Sequence, residues 1–214
     1  MTPLDLGFAL LPSAETERAV FDLVTTAKTC RPLSYFLSPG TAVPHVSLWQ
    51  GRYDPVSLPE IFEFLQSLHP GVIPATQAMR GCSIWAQRIL FLDLEKSPAL
   101  VELQNTLVNH LLPLSLPGSA DPQSFRGIDS QQAASLASTG YPFTERRFGA
   151  FAPHFTIAHL AEPIESPVDR ASCIEQLASW SHANRTAEFA ELCIFRVLPL
   201  GRLDESEIIF RRSL

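Results

Sequence analysis

Two short phrases carry the residue types that acid–base chemistry needs. Val43-Pro44-His45-Val46-Ser47-Leu48 and Ala152-Pro153-His154-Phe155-Thr156-Ile157 share one form: apolar, Pro, His, apolar, hydroxyl, apolar. Side chains of a strand alternate between faces. His45 and Ser47 would therefore project together while Val46 and Leu48 point into a core, and His154 and Thr156 would do the same above Phe155 and Ile157. A single His on a strand is ordinarily a packed structural residue. In a chain of this composition, two copies of the form arise by chance in about one case in ten thousand. The repetition is what singles these residues out.

Two imidazoles facing each other across a groove suit concerted proton transfer near neutral pH. One, neutral, takes a proton from an attacking hydroxyl or water, and the other, protonated, gives one to the leaving oxygen. The flanking hydroxyls of Ser47 and Thr156 could donate hydrogen bonds to the non-bridging oxygens of a phosphate as charge builds there. Phosphodiester transfer, opening or closing a cyclic phosphate, is the reaction such a set performs. It requires neither metal nor cofactor, and none is expected: there is no HExxH, no CxxC and no Cys/His cluster. Either histidine could be the base.

The elements that would hold these residues are legible in outline. Leu6–Leu11 reads as a buried strand stopped by Pro12, and Ser13 as the N-cap of a helix in which Ala19, Val20, Leu23, Val24 and Ala27 recur at helical spacing. A linker with Pro39-Gly40 leads to the first histidine strand, closed by Gly51. Helices are expected over Leu58–Leu68, from Ser97-Pro98 to about His110, and from Val168 to Ser181. Val72–Met79, Cys82–Trp85, Ile89–Leu94, Pro153–Leu160, Phe189–Leu198 and Glu207–Arg212 have strand character, with a turn or bulge at Arg80-Gly81. Such tight strand pairs favour antiparallel pairing, and no glycine-rich phosphate loop of either common kind occurs. The class is α+β. Residues 113–147 break the pattern with several Pro, Gly and Ser, as a lid or insert would, apart from one short helix near Asp129–Ala137.

Composition narrows the function further. A chain of 214 residues with 46% apolar and 18% charged side chains forms an ordinary globular core and is not intrinsically disordered. Sixteen Lys and Arg against twenty-two Asp and Glu give a net charge of −6, evenly spread, which argues against coating long nucleic acid but permits one nucleotide or RNA end in a local pocket. The N-terminus lacks the features of a secretory signal, and no apolar run reaches the roughly 18–20 residues that cross a bilayer. Cys30, Cys82, Cys173 and Cys193 are scattered, as reduced thiols would be. The expectation is a cytoplasmic monomer with no membrane association and no obligate protein partner.

The paired His-apolar-[Ser/Thr]-apolar phrases resemble the signature of the 2H phosphoesterase superfamily, which includes 2′-5′ RNA ligase-like proteins and cyclic nucleotide phosphodiesterases. The resemblance extends to the opening strand and helix, to the Cys82–Leu94 hairpin with the helix after it, and to the closing strands. It implies one bilobal α+β domain over residues 1–214, with two pseudo-symmetric lobes of antiparallel sheet flanked by helices and a groove between them. It implies His45 and His154 as the acid–base pair and Ser47 and Thr156 as phosphate ligands. The substrate would be a nucleotide or RNA end bearing a 2′,3′-cyclic phosphate or a 2′-5′ linkage. Phe151, three residues before His154, and Tyr141 in the insert are candidates to stack on a base, and Arg147 of the Arg146-Arg147 pair to meet a phosphate. His69, His110, His159 and His182 are taken as surface or structural; strand alternation turns His159 away from His154. ATP-independent 2′-5′ ligation at the same site, and a non-catalytic module binding RNA ends or cyclic phosphates, are the competing functions.

Overall fold

A computed structural model describes residues 2–118, 128–146, 148–183, 186–199 and 202–214, without the side chains of residues 179 and 181–183. Arg147 and the side chain of His182 therefore lie outside the described residues. The opening strand β1 (Leu4–Pro12) runs into α1 (Ala14–Cys30) through Ser13, whose hydroxyl accepts a hydrogen bond from the Thr16 amide as an N-cap should. Next come β2 (Leu33–Phe36), β3 (Val46–Tyr53), α2 (Leu58–Ser67), the hairpin β4 (Thr76–Trp85) and β5 (Ile89–Leu94), and α3 (Pro98–Leu111). The second half holds β6 (Ser115–Leu116), α4 (Ser130–Thr139), β7 (His154–Leu160), α5 (Pro167–Ala183), β8 (Thr186–Arg196) and β9 (Ile208–Ser213).

The architecture is α+β, a large antiparallel sheet flanked by helices. Its strand order is β2-β7-β5-β4-β8-β1-β3-β6, with β9 added to β8. One more pairing, β3 with β7 at Val46 and Phe155, closes β7-β5-β4-β8-β1-β3 into a ring. Strands from both halves of the chain thus join one sheet, and β1, between β3 and β8, is central to it. The helices cover one face: α1 lies over β7 and β8, α5 over β4, and α3 over β3. Between helices and sheet Phe8, Leu23, Leu48, Trp49, Leu107, Phe155 and Leu192 are fully buried, each such side chain contributing about 1.5–3 kcal/mol.

Several segments differ from the sequence expectation. Pro70–Val72 forms a 3-10 turn, so β4 begins only at Thr76. The expected irregularity at Arg80-Gly81 is a bulge, with Gly81 at φ 139°. Two short strands, β2 and β6, lie in stretches read as linker and insert. The described part of the insert is folded: Asp129 and Gln132 form a capping box at the start of α4, and Gly140 ends it at φ 78°. No helix among the described residues is long and apolar enough to cross a membrane. All four cysteines are unbridged.

Candidate active site

The pairing of Val46 with Phe155 decides where the motif residues meet. Both are fully buried. Extended by one step to either side, this antiparallel register would set Ser47 opposite His154 and His45 opposite Thr156. Residues opposite one another share a face, so both histidines and both hydroxyls stand together on the face away from the helices. All four are partly exposed, whereas Val46, Leu48, Phe155 and Ile157 are buried.

The two histidines are held in the same way. His45 Nδ1 lies 2.9 Å from the Val43 carbonyl, and His154 Nδ1 lies 2.7 Å from the Ala152 carbonyl. A carbonyl can only accept, so Nδ1 carries the hydrogen in both rings and Nε2 is the nitrogen that exchanges protons. Each acceptor is two residues upstream, across the motif's proline, so the repeat in sequence is a repeat in side-chain geometry. The surroundings of the rings differ. His45 meets the edge of Phe195 at 5.4 Å, whereas His154 stacks on Phe91 at 3.7 Å with Phe143 edge-on at 6.1 Å. Protein packed around His154 desolvates its charged form and lowers its pKa to about 4, against the opposing effect of the bond to Ala152.

The same face continues over β5 and β4. Asp93 pairs with His154 and with Gly81, Phe91 with Thr156 and with Ser83, and Ile89 with His159 and with Trp85. Trp85 lies nearly parallel to Phe91, centroids 6.0 Å apart, and Phe143 stands at 65° to Trp85. Trp85 and Phe143 are partly exposed. They make an aromatic corner beside His154, with a floor from β4 and β5 and a wall from the segment after α4. Gln104, fully buried on α3, fixes that wall. Its Nε2 donates to the Leu48 carbonyl (3.0 Å) and the Phe143 carbonyl (2.5 Å), and its Oε1 accepts from the Glu145 amide (2.8 Å).

Three sequence expectations change. Tyr141 and Phe151 are each only 3% exposed. Tyr141 packs edge-on to Trp49 and Phe143 and supports the wall from behind; neither ring presents a surface on which a base could stack. His159 is not turned away by alternation. One extra residue in β7, where Leu90 pairs with Ala158 but Phe91 with Thr156, returns it to the face of His154. There it is buried against Tyr35, and burial lowers its pKa. Phe91 and Trp85 carried an available signal, alternation along β5 and β4, whereas Phe143 and Gln104 lie in segments whose position no local pattern reveals.

No family model and no curated protein matches the chain by sequence. Solved structures do. E. coli LigT complexed with 3′-AMP superposes with a TM-score of 0.52 at 14% identity over 100% of this chain and 99% of that one. A crystal structure described as a phosphoesterase gives 0.52 at 14% over the same shares, and Kluyveromyces marxianus Usb1 gives 0.50 at 12% over 99% and 97%. The chain shares its fold with these structures.

Proposed function

We propose that this protein is a 2H phosphoesterase that hydrolyses 2′,3′-cyclic phosphates or 2′-5′ phosphodiester linkages of nucleotides or RNA ends. The observation that carries the reading is the matched pair of bonds from His45 to Val43 and from His154 to Ala152, on strands joined at Val46 and Phe155. It orients two proton-exchanging nitrogens on one open face, each with a hydroxyl beside it. That nucleotides occupy LigT, in the complexes with 3′-AMP and with NADP+, is consistent with the reading.

The different surroundings of the two rings support different roles. His154, kept neutral by its desolvated surroundings, is the base. Its Nε2 takes a proton from water as the water oxygen bonds to phosphorus. The bond from phosphorus to a ribose oxygen breaks, and that oxygen takes the proton of His45 Nε2. Ser47 and Thr156 donate to the non-bridging oxygens as negative charge accumulates. The corner of Trp85 and Phe143 receives the base, where stacking contributes about 1–3 kcal/mol.

The test is a product assay with EDTA present, on 2′,3′-cyclic nucleotides, a cyclic-phosphate-ended oligoribonucleotide and a 2′-5′ dinucleotide. His45→Ala and His154→Ala should each lower kcat at least a hundredfold while the fold, followed by circular dichroism, is retained. Turnover that survives either substitution refutes the mechanism.

A further inference from the structure

The base of a two-histidine reaction must become an imidazolium, and the surroundings of His154 oppose positive charge. Its neighbour across the ladder is a carboxylate. Asp93 pairs with His154 in the register of β5 and β7, and the Leu94 amide donates to the Pro153 carbonyl at 2.9 Å. That bond flanks the pair without belonging to either member, so 93 and 154 form a non-hydrogen-bonded pair, in which Cα atoms approach to about 4.5 Å and side chains are at their closest. Pro153, having no amide hydrogen, cannot complete the next two-bond pair and so reinforces this spacing. Ser83, on β4, acts to lower the pKa of the Asp93 carboxylate. Opposite Asp93, Gly81 leaves open space where a side chain would stand.

We propose that Asp93 is a positioning residue for His154, its carboxylate facing the ring from the neighbouring strand and stabilising the imidazolium formed when His154 takes a proton. The inference rests on the phosphoesterase reading above for its catalytic meaning, but the electrostatic link does not depend on turnover. The other groups facing His154 do not supply this charge. Phe91 on β5, Phe143 in the segment after α4, Ser47 on β3 and Ser83 on β4 are uncharged, and His45 on the first-motif segment can only repel a second imidazolium. Lys96, after β5, is paired with Glu145 at 2.5 Å. Burial raises the pKa of Asp93, and Ser83 opposes that rise. No covalent step is added: the proton passes from water to His154, and Asp93 stays ionised.

The test is a histidine-selective NMR titration of the full chain. In Asp93→Asn, which keeps an acceptor for Ser83 but loses the charge, the His154 midpoint should fall by at least about half a pH unit, while that of His159 stays in place. Asp93→Glu should hold the His154 midpoint near the wild-type value. If Asp93→Asn does not fold, Asp93→Ser provides the same comparison. On 2′,3′-cyclic AMP, Asp93→Asn should lower kcat about tenfold or more, with little change in KM and with the acid limb of the pH profile displaced in the same direction as the midpoint. A His154 midpoint that does not move, or rises, overturns the inference. Turnover persisting in His154→Ala instead overturns the phosphoesterase reading and leaves the titration result intact.

Discussion

Acid should unfold this protein partly through one residue. A histidine has an ordinary value of 6.5, and His154 in the folded chain has a pKa lowered to about 4. Between those two pH values the unfolded chain binds a proton at this position that the folded chain does not. Stability therefore falls as pH drops from 6.5 towards 4 and is unaffected by this group above 6.5. The gap corresponds to about 3 kcal/mol, an upper figure because part of the residue remains open to solvent. The perturbation is His154→Asn, which removes the titrating group and keeps a polar side chain of similar reach. Urea unfolding of both proteins at steps from pH 7.5 to 4 gives two stability curves. His159, also buried and also lowered, contributes equally to each and cancels. The wild-type curve should lose up to about 3 kcal/mol more than the variant over that range. Parallel curves would refute the claim that burial keeps His154 neutral, and with it the assignment of His154 as base.

Other expectations follow from particular contacts. Phe143→Ala should raise KM for 2′,3′-cyclic AMP about tenfold, corresponding to one stacking contact, and leave KM for glycerol 1,2-cyclic phosphate, which has no base, unchanged. Gln104→Leu strands the carbonyls of Leu48 and Phe143 and the amide of Glu145 in the interior; unfolding in urea should show a loss of about 2 kcal/mol or more. Gly7→Ala would place a methyl 2.2 Å from the ring of Phe195, which borders His45. The cost should be about 1–3 kcal/mol, read as a lower Tm, together with a reduced kcat on the cyclic nucleotide.

The readable parts of this molecule were those in which a local pattern carries the geometry. The alternation around His45 and His154, the Ser13 cap and the helical spacing of Ala19, Val20, Leu23, Val24 and Ala27 all depend on neighbours in sequence. The convergence of the two motif strands depends on the pairing of Val46 with Phe155, which no local pattern contains; the repeat could only suggest it. His159 shows the limit of counting along a strand, because one inserted residue reverses every face beyond it. Position in sequence singles out Phe151, beside the motif, and Tyr141, in the insert, but an aromatic near a site is buried or exposed according to what packs over it, here Trp49 and Phe143 in the case of Tyr141.

The closed circuit of strands has a consequence for how the chain reaches this state. β1 needs β8, far later in the chain, on one side, and β4 also pairs with β8. An emerging polypeptide must hold two edges incomplete until β8 is available. Contacts this distant in sequence make folding slow, and unpaired edges in the waiting intermediate are surfaces on which chains aggregate. A fragment ending before β7 would lack the strands that close the circuit as well as His154. Refolding from urea should therefore show one late step that restores the whole sheet.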